Sequence, residues 1–135
     1  MQKVNIKELR EFAVQALIKN GVSAKNAEVT ADTLIATDMF GVMTHGIRNL
    51  GQYIEKINAG GLDAICEGPA FAVINGNKAL GMVSGCKAMN LAIEKAKQVG
   101  IAYVGVKNSC HFGAAGYYAN LAAEQGMIGL SMSNT

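Results

Sequence analysis

Two short stretches hold both histidines of the chain, each in the company of other groups that could do chemistry. Asn108-Ser109-Cys110-His111-Phe112-Gly113-Ala114-Ala115-Gly116-Tyr117-Tyr118 brings an imidazole, a thiol and two phenols into one run. Met43-Thr44-His45-Gly46-Ile47-Arg48, with Tyr53 close behind, supplies the second imidazole, a hydroxyl, a guanidinium and a phenol. An imidazole exchanges protons near neutral pH, so His111 and His45 are the candidates for acid and base work. Arg48 carries a planar guanidinium fork that can hold an anion.

Each motif also has a plainer reading. His111 could be a capping or core histidine, but it follows an apolar run that reads as a strand and precedes one that reads as a helix. Open α/β sheets place ligands at the carboxyl ends of their strands, which favours a working histidine there. Residues 43–53 read equally well as an amphipathic helix with solvated polar residues. If that helix begins near Gly46, Arg48 and Gln52 stack at i, i+4, and Thr44 and His45 lie at an N-terminal mouth that favours an anion. Cys110 beside a histidine suggests a thiolate nucleophile, yet no protease signature surrounds it. Tyr117 and Tyr118 read as packing residues, one ring inward and one at the surface. His111-Phe112-Gly113-Ala114-Ala115-Gly116 approximates a dinucleotide fingerprint whose first glycine is a histidine, which crowds the backbone where a pyrophosphate must approach. The next apolar run closes in Ser133-Asn134-Thr135, without the acidic residue such a site needs. A standard Rossmann site is therefore excluded, and Gly113 and Gly116 read as close packing of helix on strand.

The elements that position these residues follow from periodicity. Asn5 caps a helix over 6–19 with Ile6, Leu9, Phe12, Ala13, Ala16 and Leu17 at helical spacing, ended by Gly21. Ser23 caps a second helix whose apolar side is Ala27, Val29, Ala31, Leu34 and Ile35, fading over 38–41. The helix begun near Gly46 ends over 58–63, and 62–69 reads as a connection to a short strand over 70–74. A helix over 84–99 buries Ala88, Leu91, Ala92, Lys95, Ala96 and Val99, with Gly100 as terminator. The run 101–106 reads as a strand covered on both faces, 114–125 as a helix, and 127–132 as the next buried strand, which places the His111 loop in a βαβ crossover. The expectation is an α/β fold, N-terminal helices followed by βαβ elements of a mixed sheet. A parallel sheet ending after 127–132 would leave a bare edge, so the sequence reads as interrupted.

Composition narrows the rest. The 135 residues are 50% hydrophobic and 16% charged, enough for a core and against disorder. A net charge of +2 with interspersed signs gives no field for nucleic acid or an anionic membrane. The N-terminus lacks a secretory pattern and no window is apolar enough to span a bilayer, so a cytoplasmic location is expected. Cys66, Cys86 and Cys110 stand in unrelated contexts with no Cys-x-x-Cys. They read as reduced thiols, and no metal site is expected. The seven methionines are core filler.

Thr44-His45-Gly46-Ile47-Arg48, Tyr53, Ile74-Asn75-Gly76, Gly81, Ala88-Met89, Gly100-Ile101 and 108–119 together resemble the malate/L-lactate dehydrogenase family. This type-2 family also holds ureidoglycolate, sulfolactate and 2,3-diketogulonate dehydrogenases and is unrelated to the Rossmann lactate and malate enzymes. The resemblance covers essentially the whole chain and implies a non-Rossmann α/β fold, truncated here. Residues 1–65 would be an N-terminal helical segment, and 66–135 the first part of an α/β nucleotide-binding domain. It also implies a homodimeric, cytoplasmic oxidoreductase that passes hydride between NAD or NADP and a 2-hydroxy or 2-oxo acid. Malate or L-lactate is the first expectation for that acid, with ureidoglycolate or 2,3-diketogulonate as the alternative. The family's Ser-His-Gly and arginine pattern maps onto Thr44, His45, Gly46 and Arg48, lining the substrate site. Its Asn-His-Phe-Gly pattern maps onto Cys110, His111, Phe112 and Gly113. Either histidine could be the acid/base, with His111 favoured; Tyr53 would add a substrate contact, and Thr135 falls where some relatives touch cofactor. Three residues depart from the pattern: Thr44 stands for serine, Gly51 for a frequent proline, and Cys110 for asparagine, which removes an amide beside the base. Family members continue well past residue 135, so the opposing expectation is a non-catalytic truncated chain acting only in subunit association.

Overall fold

The computed structural model describes residues 3–55 and 63–134, and the chain divides into two compact units, Met1–Ile57 and Asn58–Thr135. The first unit is helical. α1 (Ile6–Lys19) starts where Asn5 accepts the Lys7 amide at 2.9 Å and ends at Asn20, followed by Gly21 at φ +91°. α2 (Ala24–Met39) starts at Ser23 and ends at Phe40, with Gly41 at φ +80° turning the chain. A single 3₁₀ turn (Ile47–Asn49) then leads into α3 (Leu50–Glu55).

Burial differs from the expected stripes. On α1 the buried residues are Ala13, Val14 and Leu17, while Ile6 and Phe12 are exposed. On α2 burial is wider than predicted, taking in Thr30, Thr33 and Thr37 with Ala27, Ala31, Leu34 and Ile35. These threonines were invisible to an apolar count, yet each hydroxyl donates to the carbonyl four residues back, at 2.7–2.8 Å. With its hydroxyl so satisfied, a threonine packs much as a valine would. Arg10 of α1 grips Asp32 of α2 through Nε at 2.5 Å and a second nitrogen at 3.0 Å. That hydrogen bond, with the carboxylate's charge, raises the guanidinium pKa further above its ordinary value.

The second unit is a three-stranded mixed sheet with two helices. β1 (Asp63–Gly68) pairs antiparallel with β2 (Phe71–Asn75), and β2 pairs parallel with β3 (Tyr103–Lys107), in the order β1-β2-β3. The long α4 (Gly81–Val99) joins the two parallel strands, and α5 (Ala115–Ala123) follows the loop after β3. β1 corrects the expected connection over 62–69: its pairing, with a bulge between Ala64 and Cys66, comes from β2 through the two-residue turn at Pro69 and Ala70. Lys95 of α4 ties that turn down, donating to Gly68 O at 2.9 Å and lying 3.2 Å from Glu67.

Three further expectations change. The crossover unit is β2-α4-β3, and the His111 loop follows it instead of lying within a later one. β3 is not covered on both faces: Tyr103 is 67% exposed and no residue of the strand is buried, because face coverage comes mainly from α4 on one side. Residues 127–132 form no strand. They run along α5, where the Met127 amide donates to Ala122 O at 3.0 Å and Gly129 abuts the Ala119 backbone. Ile128, Leu130 and Met132 are left exposed. In α4, burial shifts toward the N-terminal half (Gly81, Met82, Ser84, Cys86, Ala88 and Ile93), and Val99 is exposed. The expected helix end over 58–63 lies largely outside the described residues. Among those residues no helix is long and apolar enough to cross a membrane.

Candidate functional site

The Thr44–Arg48 motif occupies the turn between α2 and α3. The chain leaves α2 at Gly41, whose amide donates to Asp38 O at 2.9 Å, and folds back so that His45 N reaches Val42 O at 2.9 Å. Thr44 Oγ1 lies 2.8 Å from His45 Nδ1. Engaging Nδ1 in this way directs Nε2 as the ring's other proton-exchanging atom. Asn49 Nδ2 donates to Thr44 O at 2.8 Å, and Asn49 N to Gly46 O at 3.1 Å. Asp38 Oδ2 accepts the Ile47 amide at 2.9 Å. Arg48 is exposed, so its guanidinium is open to solvent and to a ligand. Arg48 lies in the 3₁₀ turn Ile47–Asn49 ahead of α3 (Leu50–Glu55), where the sequence suggested an α-helix begun near Gly46. Tyr53 is 5% exposed, and burial raises its phenol pKa by penalising the anion.

In the second unit, His111 is exposed on the loop after β3, at the carboxyl ends of the parallel pair β2 and β3. Three non-glycine residues with left-handed backbone, Asn77 (φ +46°), Lys78 (φ +58°) and Asn108 (φ +53°), shape this end of the sheet. Their turns are locked together. Gly76 N donates to Lys107 O at 2.7 Å, Lys78 N to Asn108 O at 2.8 Å, and Asn108 Nδ2 to Asn75 Oδ1 at 3.0 Å. Ser84, buried on α4, shares a 2.8 Å hydrogen bond with Ser109, and Cys110 Sγ donates to Lys78 O at 3.3 Å. The loop lies directly on the start of α4, so close that a Cβ on Gly81 would stand 2.3 Å from the carbonyl oxygens of both Cys110 and His111. Downstream, the Tyr118 hydroxyl donates to Phe112 O while the two rings stack at 4.9 Å. Tyr118 is 1% exposed and Tyr117 only partly buried, which matches the inward and outward rings expected. The two motif glycines differ from the close-packing expectation: Gly113 has φ +80°, a turn requirement, and nothing lies within 4 Å of a Cβ on Gly116.

Each motif is thus held by its own unit, Thr44, His45, Arg48 and Tyr53 in the first and His111 in the second. Thr135 lies outside the described residues. Sequence reasoning missed Asp38, Asn49, Tyr118 as a backbone anchor and the crowding at Gly81. An acidic residue in the last turn of a helix, just ahead of a polar motif, and a glycine opening a long helix were the available signals. Among the described residues no cluster of three or more His, Cys, Asp or Glu could hold a metal ion.

The described residues thus form an α/β chain, with helices in the first unit that bring His45 and Arg48 onto the turn after α2, and a mixed sheet with two helices in the second that carries His111 on the loop after β3. Its fold matches that of malate dehydrogenase from Pyrococcus horikoshii OT3, with a TM-score of 0.89 and 40% identity over 93% of this chain and 38% of that one. The family model for malate/L-lactate dehydrogenase matches residues 4–135, and the chain belongs to that family. Among curated relatives, it is 46% identical to malate dehydrogenase of Pyrococcus abyssi, over 95% of this chain and 37% of that protein. It is 42% identical to L-sulfolactate dehydrogenase of Methanocaldococcus jannaschii, over 93% of this chain and 38% of the relative. The chain therefore spans somewhat over a third of the length of these relatives.

Proposed function

We propose that this chain serves an NAD- or NADP-dependent dehydrogenase acting on a small 2-hydroxy acid or its 2-oxo counterpart, malate or L-lactate first. The observation that carries this is the exposed His111 on a loop braced by β2, α4 and α5, in a chain of a dehydrogenase family. The donor set fits the reacting end of such a pair: imidazoles for the hydroxyl proton and a guanidinium for the carboxylate. The nicotinamide, when bound, takes or gives the hydride.

His111 accepts the substrate's hydroxyl proton as hydride leaves, and returns it in the reverse direction; His45 is the other candidate for that role. Arg48 holds the carboxylate and so fixes which carbon faces the nicotinamide. Thr44 tunes His45 through their shared hydrogen bond, and Tyr53 adds its hydroxyl to the substrate pocket. Thr135 is a weak candidate for cofactor contact. Residues 1–65 would form a helical segment and 66–135 the start of a nucleotide-binding domain. Ile6 and Phe12, exposed on α1, and Val4 just before it support an association surface for a homodimer, and the enzyme would work in the cytoplasm.

The test is a panel of oxaloacetate, pyruvate, sulfopyruvate, the ureidoglycolate pair and 2,3-diketogulonate with NADH and NADPH, run on the protein expressed from its native gene. Loss of reduced nicotinamide with one of the first three is expected, and His111→Ala should lower kcat about 10²-fold or more. Preference for ureidoglycolate or diketogulonate would move the substrate to the alternative. Full turnover in both His111→Ala and His45→Ala overturns the acid/base assignment. No turnover with any pair overturns the enzyme reading in favour of a chain that only associates.

A further inference from the structure

We propose that Asp38 is a positioning residue for the His45 and Arg48 side chains, an inference that rests on the dehydrogenase reading above. Asp38 lies in the last turn of α2, whose preceding residues Leu34, Ile35 and Thr37 are buried, so its Cα is anchored in the rigid part of the first unit. His45 itself lies outside any helix, in the turn over 41–46 that also carries Thr44, and Arg48 sits in the single 3₁₀ turn that follows.

Its two carboxylate oxygens act on neighbouring residues. Oδ2 accepts the Ile47 amide at 2.9 Å, satisfying a donor that opens the 3₁₀ turn and has no carbonyl before it to reach. Oδ1 fills the space beside Gly46, where a Cβ would stand 1.7 Å away, and Gly46 is buried. His45 immediately precedes this pinned dipeptide and Arg48 immediately follows it. One carboxylate on a fixed helix therefore sets where both functional side chains leave the backbone. The same contact explains why residue 46 is glycine: its φ of −89° is open to any residue, so the requirement is space and not conformation. The hydrogen bond between Thr44 and His45 depends on this turn as well, since Asn49 closes it from the far side by holding Thr44 O.

Asp38→Ala, Asp38→Asn and Gly46→Ala would be compared with wild type in the 2-oxo acid assay. The amide oxygen of asparagine can still accept the Ile47 N–H, so Asp38→Asn should stay within about threefold of wild-type kcat/KM. Asp38→Ala frees the turn, and a displacement on the order of 1 Å predicts a loss of about 10²-fold in kcat/KM. The loss should appear as a raised KM for the oxo acid and a lowered kcat, with the KM for the dinucleotide unchanged. A merely destabilised protein would instead lose active fraction at constant KM. Gly46→Ala, which pushes the carboxylate away without removing it, should reproduce the pattern, and it carries the test should Asp38→Ala fail to fold. The chain has two histidines, so imidazole nitrogen NMR reads the turn directly once His111→Ala assigns the signals. In Asp38→Ala or Gly46→Ala the His45 Nδ1 signal should move toward that of a solvated ring, while His111 stays fixed. Asp38→Ala within threefold of an active wild type, or Asp38→Asn as impaired as Asp38→Ala, overturns the positioning role alone. A wild type inactive on every oxo acid overturns the dehydrogenase reading, and the Asp38 role with it.

Discussion

Gly81→Ala probes the contact that seats His111. An added Cβ would stand 2.3 Å from the carbonyl oxygens of Cys110 and His111. Both obstacles are backbone and cannot rotate aside, so the loop must retreat by about 1 Å to regain ordinary contact distance. Two effects of opposite sign act on stability. Alanine for glycine contributes up to about 1 kcal/mol in a helix interior, and only a fraction of that at Gly81, the first residue of α4. Crowding a packed site costs about 1–3 kcal/mol. The net is a destabilisation of about 1–2 kcal/mol, read as a lower denaturant midpoint at unchanged slope. The same retreat moves the backbone of His111 itself, which predicts a fall of about 10²-fold in kcat/KM for the oxo acid. Gly51→Ala is the internal control: nothing lies within 4 Å of its Cβ, so it should be neutral or slightly stabilising. Oxo acid-dependent oxidation of NADH and a urea titration, run on both variants, give the answer. Gly81→Ala with an unchanged midpoint and kcat/KM within threefold of wild type refutes the seating of the loop on α4.

Two smaller tests follow. Tyr118→Phe keeps the stack on Phe112 but removes the donor to Phe112 O, and should cost about 1 kcal/mol in the same urea titration while loosening the His111 loop. For Tyr53, burial raises the folded-state pKa above the unfolded one. The native state then holds the phenolic proton more tightly, so this stabilisation is full below the unfolded value near ~10 and is lost as pH rises through the folded pKa. Wild type minus Tyr53→Phe stability, followed by urea titration in the alkaline range, should fall with pH; a flat difference rejects burial of the phenol.

The boundaries of α1, the glycine stops at Gly21 and Gly100, the existence of the strands β2 and β3 and the place of His111 on the loop after β3 could be read from the sequence alone. Each rests on local signals: a cap, a period or a residue tolerant of positive φ. So does family membership, because the Thr-His-Gly and Cys-His-Phe-Gly motifs are contiguous in the chain. What the tertiary structure decided depends on partners distant in sequence. β1 exists because β2 folds back on it, and residues 127–132 are not a strand because they follow α5 without a paired neighbour. The buried threonines of α2 were hidden by their polarity, since their hydroxyls are satisfied only once the helix forms. The residues that hold the candidate site were hidden for the same reason. Asp38 meets Ile47 across nine positions, Ser84 meets Ser109 across twenty-five, and Gly81 is small because a loop thirty residues later lies on it. The side chains that would do the chemistry are written in local motifs; the groups that aim them become neighbours only when the chain has folded.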